Sequence, residues 1–276
     1  MTFAVVMSTP TTMWACADRQ ILYPRGGLPD PTAVKISILK AEDGLALLTY
    51  AGLGELNNTE VSRWVTQTLS GVNVPLNMMI AKIAVATQRN IPPKWQQRFI
   101  AVGAGRKHNQ GKRLVYRLSK PGKMGVLPLG GRQVRLEYAG SGTPHLKHEQ
   151  SRIQTLRRLA RRFEDGYVSP ITVAKQFAQL NIAISGHAGG RENGISPDCL
   201  VAYLANDNSK AQDWAFDAKG RVANLPYLIP SIANGWVYSE SMAAMIPYII
   251  SGAPIPAEAV INMFMMGLKP PDEKFH

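Results

Sequence analysis

Cysteine is scarce in this chain, and long unbroken hydrophobic runs are missing from it. The 276 residues include two cysteines, Cys16 and Cys199, so at most one bridge could form and no disulfide framework holds the fold. The longest uncharged tracts, residues 222–239 and 241–257, are each interrupted by prolines, and we interpret them as buried or interfacial segments rather than membrane spans. We therefore expect a cytoplasmic protein, kept reduced, with no membrane partner.

The first residues also lack the features of a secretory signal. No lysine or arginine precedes Asp18, and the polar run at 8–12 (STPTT) interrupts the apolar stretch around it. A signal peptide carries a basic start followed by an unbroken apolar core, so secretion is not expected. With 45% hydrophobic and 18% charged residues, the composition is that of a packed globule and argues against a disordered, collagen-like or coiled-coil chain.

Acidic residues are outnumbered, 19 against 31 lysines and arginines, which gives a net charge of +12. Such a charge permits an anionic partner without requiring one. The third predicted helix carries several arginines, four of them at i, i+4 spacing, but no aromatic residue lies among them and no nucleic-acid-binding motif is present. Nucleic acid is therefore not an expected partner, and we interpret this basic stripe as a solvated face or a subunit contact. Its arginines are Arg152, Arg157, Arg158, Arg161 and Arg162.

The sequence offers little with which to bind a metal or a cofactor. His145 and His148 are three residues apart, and Glu149 is the one carboxylate close to them in the chain. A metal site usually needs three or four ligands, so none is expected here. Residues 186–194 (GHAGGRENG) are glycine-rich but lack the Gly-Lys-Ser/Thr ending of a phosphate-binding loop. We expect neither a metal nor an organic cofactor.

The order of the predicted elements indicates an α+β fold. Two β-hairpins come first, followed by two helices, further strands, two more helices and a last strand. A doubly wound parallel sheet would alternate strand and helix, so this order favours two antiparallel sheets between helix layers, a four-layer αββα sandwich. The predicted strands cover residues 2–7, 12–17, 34–39, 45–50, 98–102, 113–119, 132–138 and 200–204, and the helices begin near Asn58 or Thr59, Pro75, His148 and Ser169.

Thr2 is the candidate nucleophile. Its small side chain is compatible with removal of Met1, which would leave a hydroxyl and a free α-amine on one residue. A threonine hydroxyl needs an adjacent base, and a free N-terminal amine can serve. An α-amine pKa of about 7.7–8.0 leaves a useful neutral fraction at pH 7, and a nearby ammonium would lower that pKa further. This mechanism calls for a cation beside Thr2 and an acid that holds the cation.

Four short segments follow Thr2 in the chain: ADR at 17–19, KI at 35–36, YAG at 50–52 and GSG at 140–142. In this order they resemble the catalytic β-type subunits of proteasomes, which are N-terminal nucleophile (Ntn) hydrolases, and the bacterial proteasome-type peptidases in particular. The resemblance covers residues 1–205 and implies the αββα Ntn-hydrolase fold for them. Residues 206–276 are then a C-terminal extension of unknown role.

The resemblance implies a role for each matched residue. Thr2 would attack an amide carbonyl, Lys35 would supply a positive field, and Asp18 would hold the lysine. The N–H of Gly52 would bind the oxyanion, and Ser141 would orient the amine or a water. It further implies a cytoplasmic threonine protease without a cofactor, acting on a peptide or amide substrate as a homo-oligomer, with a ring around the sites as one form.

One feature of the family is missing. Near the end of the fourth helix the family carries an aspartate three residues before a Ser-Gly pair. Ser185-Gly186 is present and implies a supporting catalytic role for Ser185, but Ile182 stands at the aspartate position, with Asn181 beside it. Two alternatives to a peptidase therefore stay open: a small-amide hydrolase of the same fold, and a catalytically silent assembly or scaffold subunit.

Overall fold

A computed structural model gives the architecture of the chain. It describes residues 2–21, 33–56, 59–96, 99–108, 111–120, 122–188, 194–206, 210–224, 227, 229–233 and 236–239. Met1, the candidate helix cap Asn58, most of the glycine-rich segment 186–194 and residues 240–276 lie outside these ranges.

The chain is a mixed α+β protein, as the sequence predicts. The strands are β1 (Phe3–Ser8), β2 (Thr12–Asp18), β3 (Ile36–Ala41), β4 (Gly44–Ala51), β5 (Glu55–Leu56), β6 (Thr59–Glu60), β7 (Ile100–Lys107), β8 (Arg113–Lys120), β9 (Lys123–Leu129), β10 (Arg135–Gly140), β11 (Cys199–Ala205), β12 (Ala211–Phe216), β13 (Pro230–Ala233) and β14 (Trp236–Ser239). The helices are α1 (Val61–Leu69), α2 (Leu76–Asn90), α3 (Pro93–Gln96), α4 (Gln150–Glu164) and α5 (Pro170–His187), with a 3₁₀ helix over Thr143–His148.

Two large sheets organise the molecule. The first has the strand order β10-β1-β2-β11-β12, and the second has the order β14-β13-β3-β4-β7-β8-β9. Pairing is antiparallel throughout both sheets except between β13 and β3, which run parallel. The short strands β5 and β6 pair with each other. The two hairpins that the sequence predicts, β1–β2 and β3–β4, therefore lie in different sheets.

The hydrophobic core falls into three clusters. One joins the first sheet to α4 and α5, one lies between side chains of the two sheets, and one joins the second sheet to α1 and α2. Strand β1 contributes to two of them, with Phe3, Val5 and Met7 in the first cluster and Ala4 and Val6 in the second. Successive side chains of a strand point to opposite faces, so a strand that is buried on both faces has apolar residues at successive positions. Strands β1 and β2 show this pattern.

The start of α1 differs from the sequence prediction. The sequence predicts Asn58 or Thr59 as the cap of this helix, but the N-cap residue is Glu60, and its side chain makes no capping hydrogen bond. Thr59 instead pairs with Leu56 in the β5–β6 ribbon. Helix α2 does begin after Pro75, and Oδ1 of Asp43, from the β3–β4 turn, accepts a 2.7 Å hydrogen bond from its first backbone N–H.

The described residues after 205 extend both sheets. Strand β12 adds an edge to the first sheet, while β13 and β14 add the edge of the second sheet beside β3. The buried side chains of Ile229 and Ile232 belong to the core clusters. A boundary at residue 205 stays a prediction, but the strands that follow it share the cores of the preceding residues. No helix within the described ranges is both long and apolar enough to span a membrane.

Candidate active site

Thr2, Asp18 and Lys35 meet at one end of the two hairpins. Thr2 immediately precedes β1 and Asp18 ends β2, and the pairing of Ala4 with Ala17 brings these two ends together. Lys35 immediately precedes β3 in the second sheet. All three side chains are buried, with Asp18 at 0% and Lys35 at 2% exposure. The structure therefore brings together the three residues that the sequence analysis selected as nucleophile, acid and cation.

The ammonium of Lys35 connects the candidate nucleophile to the carboxylate. Its Nζ lies 3.3 Å from Oγ1 of Thr2, 3.1 and 3.2 Å from the two carboxylate oxygens of Asp18, and 2.5 Å from the backbone oxygen of Gln20. An ammonium has three N–H donors and no acceptor, and these contacts give each donor a partner. The arrangement places a positive charge against the Thr2 hydroxyl, where it would stabilise developing negative charge on the oxygen.

Asp18 also fixes the backbone around Thr2. Its Oδ1 accepts a 2.9 Å hydrogen bond from the N–H of Phe3, and its Oδ2 accepts bonds from the N–H groups of Gln20 at 3.2 Å and Ser196 at 3.4 Å. Hydrogen bonds to a charged acceptor are stronger than neutral ones. A buried ion pair is tolerated when further hydrogen bonds satisfy its lone pairs, and these N–H groups meet that condition for Asp18.

Ser141 approaches Thr2 from the other side. The backbone nitrogen of Thr2 donates to Oγ of Ser141 over 3.2 Å, and Gly142 donates its N–H to the Thr2 carbonyl at 3.5 Å. Gly140 has φ = +97°, and a Cβ on it would collide with the Thr2 carbonyl oxygen. The absence of a side chain at Gly140 therefore allows the chain to pass close to Thr2, while Ser141 contacts the Thr2 nitrogen.

Gly52 follows β4 and is exposed. It has φ = +107°, a conformation that side chains other than glycine rarely adopt. The preceding residue, Ala51, lies against Gly140, because a Cβ on Gly140 would be 3.0 Å from the Ala51 Cβ. The segment selected as a candidate oxyanion site therefore adjoins the GSG segment that contacts Thr2.

Ser185 is placed differently from the other selected residues. It lies on α5, and its Oγ donates to the carbonyl oxygen of Ile195 at 2.7 Å. Asn181, four residues earlier on the same helix, donates from Nδ2 to the carbonyls of Ser196 and Pro197, each at 3.0 Å. Both side chains thus hold residues 195–197, the segment whose Ser196 N–H reaches Asp18. A direct catalytic role for Ser185 stays a prediction.

Sequence reasoning missed Ser196 and the Gln20 backbone as members of the site. Ser196 lies three residues before Cys199, which starts β11 and pairs with Asp18 of β2. The chemistry of a Ser-Pro-Asp segment gives no sign of this contact. The strand pairing is what brings the segment to the carboxylate, and that pairing joins residues far apart in the chain.

Charged side chains outside this site form surface ion pairs or bind backbone oxygens. Glu149 pairs with His187 at 2.8 Å and with Arg152 at 2.7 Å on the helical side of the first sheet. The guanidinium of Arg113 donates to the backbone oxygens of Gln133, Gly130 and Gly131, so it stabilises a turn. Within the described ranges no group of three or more His, Cys, Asp or Glu residues is arranged to hold a metal ion.

The two-sheet α+β architecture is similar to that of solved structures of Anbu proteins. It is similar to a Gly-1 mutant of Anbu from Hyphomicrobium sp. strain MC1, with a TM-score of 0.52 and 11% identity over 93% of this chain and 99% of that one. It is also similar to Anbu, an ancestral beta-subunit, from Yersinia bercovieri, with a TM-score of 0.50 and 10% identity over 77% of this chain and 86% of that one. At these identities the likeness shows the fold alone. Neither a family model nor a curated protein matches the sequence.

Proposed function

We propose that this protein is a threonine-type amide hydrolase of the proteasome-like Ntn class, with Thr2 as its nucleophile after removal of Met1. The observation that carries the proposal is the position of the Lys35 ammonium, 3.3 Å from Oγ1 of Thr2 and 3.1 Å from Asp18 in a buried site. We further propose the four-layer αββα order for the fold. The division of the core into helix–sheet, sheet–sheet and sheet–helix clusters supports it.

The proposed reaction begins with attack of Thr2 Oγ1 on the carbonyl carbon of an amide. The hydroxyl proton passes to the freed α-amine as the new C–O bond forms, and the carbonyl electron pair moves onto its oxygen. The N–H of Gly52 receives this oxyanion, while Lys35 stabilises charge on Oγ1. Collapse of the intermediate breaks the C–N bond, and the leaving amine takes the proton from the α-ammonium. Water then hydrolyses the ester on Thr2, with the α-amine again accepting the proton.

Peptides are the proposed substrates, and a homo-oligomer is the proposed form of the protein, with a ring that encloses the sites as its arrangement. The name of one similar structure, an ancestral beta-subunit, supports assembly into a larger particle. Residues 1–205 carry every residue of the proposed site, and the strands of the extension would complete the sheet edges.

A catalytically silent assembly subunit is the second candidate. It is favoured by Ile182, which places an apolar side chain on α5 at the position where the family has an aspartate. In that case the contacts among Thr2, Lys35 and Asp18 would be structural only. A small-amide hydrolase would keep the same site and differ from a peptidase in its substrate.

Substitution of Thr2 distinguishes these candidates. Thr2→Ala keeps a small residue after Met1 but removes the hydroxyl, so it should abolish hydrolysis of fluorogenic peptides, whereas Thr2→Ser should retain part of it because a hydroxyl remains. Parallel assays on small amides separate a peptidase from a small-amide hydrolase. Equal, measurable rates for the parent and Thr2→Ala would reject Thr2 as the nucleophile. A parent protein that hydrolyses neither peptides nor small amides would instead favour the silent subunit.

A further inference from the structure

Each of the four backbone carbonyl groups of residues 195–198 accepts a hydrogen bond. Ile195 accepts from Oγ of Ser185, while Ser196 and Pro197 both accept from Nδ2 of Asn181. The fourth carbonyl, that of Asp198, accepts a 3.1 Å hydrogen bond from the N–H of Arg19, the residue after Asp18. The carbonyls are bound from two sides, by α5 and by the end of β2, and the Ser196 N–H lies 3.4 Å from Oδ2 of Asp18.

The hydrogen bonds from α5 to this segment come from two buried polar side chains. Asn181 and Ser185 are four residues apart, so they lie on one face of α5. Asn181 is 0% exposed and Ser185 is 2% exposed. A buried amide that binds two successive carbonyls fixes both the position and the orientation of the peptide between them.

We infer that Asn181 is a positioning residue for the candidate active site, assisted by Ser185, and that it acts through the Ser196 N–H on Asp18. The inference rests on the proposed function, because Asn181 can affect catalysis only if Thr2 is the nucleophile and Lys35 stabilises its charge. Helix α5 is then connected to the site through the Asn181 amide and the backbone of Ser196. Asn181 is the residue next to Ile182 on this helix. Displacement of a reacting group by about 1 Å can cost about 100-fold in rate, so a contact of this kind is sufficient to affect turnover.

The chain contains a chemically matched control for Asn181. Asn206 is 2% exposed, and its Nδ2 also donates to two successive carbonyls, those of Thr9 and Pro10, at 3.4 and 2.7 Å. These carbonyls lie at the turn of the β1–β2 hairpin, at the end opposite Thr2 and Asp18. The two asparagines therefore share burial and bonding pattern but differ in their distance from the site.

The test compares Asn181→Asp with Asn206→Asp in the full chain. Each substitution keeps the side-chain volume and replaces the donating amide by a carboxyl, so both variants should lower the melting temperature by similar amounts. With a fluorogenic peptide as substrate, we expect Asn181→Asp to lower kcat by about tenfold or more with KM within about twofold, and Asn206→Asp to leave both within about twofold. If Asn181→Asp does not fold, Ser185→Ala provides the milder variant, with an expected loss in kcat of about threefold or more.

The outcomes separate this inference from the proposed function. If the parent hydrolyses peptides through Thr2 but Asn181→Asp keeps its kcat, or if Asn206→Asp loses as much kcat, the inference is wrong and the function stands. If the parent shows no Thr2-dependent hydrolysis, the function fails, and hydrogen exchange still tests the contact. Backbone amide exchange at residues 194–199 should be faster than in the parent for Asn181→Asp and unchanged for Asn206→Asp. Equal exchange rates for the two variants at these residues would overturn the inference.

Discussion

The Nζ atom of Lys35 lies 3.3 Å from Oγ1 of Thr2, although 32 residues separate them in the chain. The contact joins the start of the first sheet to the start of β3 in the second sheet. Asp18 holds the other side of the lysine at 3.1 Å. The site therefore depends on the stacking of two sheets as well as on local sequence.

The ion pair between Lys35 and Asp18 should be important for stability. Both side chains are buried, so Lys35→Met leaves an uncompensated carboxylate in the core, and we expect a loss of about 3–5 kcal/mol in the free energy of unfolding. Urea denaturation measures this loss. The double variant Lys35→Met/Asp18→Asn should recover part of it, because no buried charge is left unpaired. A double variant less stable than Lys35→Met would contradict this explanation.

Two glycines with positive φ, Gly140 and Gly131, test whether close packing of the backbone against Thr2 is needed for activity. Gly140→Ala should reduce peptide hydrolysis by about 100-fold, because the added Cβ collides with the Thr2 carbonyl and displaces the nucleophile. Gly131→Ala carries the backbone cost of a positive φ, about 1–2 kcal/mol, but its Cβ has nothing within 4 Å, so activity should be retained. If both variants lose activity equally, the backbone conformation and not the collision is responsible.

Residues after 205 should unfold together with those before it. Ile232 in β13 is fully buried in the cluster with α1 and α2, so Ile232→Ala should cost about 2–5 kcal/mol in the main unfolding transition. Val222 is exposed, and Val222→Ala should change stability by about 0.5 kcal/mol or less. A separate second transition that alone responds to Ile232→Ala would show that the extension folds as its own unit.

Alkaline pH should destabilise the fold through buried tyrosines. Burial raises the pKa of Tyr138 to about 12, and it also raises the pKa values of Tyr50, Tyr116 and Tyr227. The unfolded chain ionises its tyrosines near pH 10, so it releases protons that the folded chain retains. The tyrosines therefore contribute their full stabilisation below about pH 10, and that stabilisation is lost as the pH rises above it. The loss is about 1.4 kcal/mol per pH unit for each of the buried Tyr50 and Tyr116, and less for the partly exposed Tyr138 and Tyr227. Urea midpoints and tyrosinate absorbance between about pH 9 and 12 measure the effect. A constant urea midpoint would contradict it.

The local parts of the fold could be predicted from the sequence. The hairpins β1–β2 and β3–β4 follow from apolar runs separated by turn residues, and α5 begins at Ser169 and Pro170 as expected. Strand β9 was missed because it is an exposed edge strand that contains Gly125 and Pro128, residues that weaken a strand pattern.

The site was predictable only where it depends on spacing within a hairpin or a motif. The resemblance to proteasome β-type subunits selected Thr2, Asp18, Lys35 and Ser141, and the structure places their side chains or backbone in contact, while their catalytic roles stay a prediction. The contact of Ser196 with Asp18 was not predicted, because it requires β11 to pair with β2 across about 180 residues of chain. The parallel pairing of β13 with β3 was missed for the same reason.

The mass of the intact purified protein tests the central claim most directly. The proposed mechanism needs Thr2 at the N-terminus with a free amine, so the mass should be lower than that of the full sequence by one methionine residue and should carry no N-terminal modification. Retention of Met1, or a blocked Thr2 amine, would contradict the account, since the base that accepts the hydroxyl proton would then be missing.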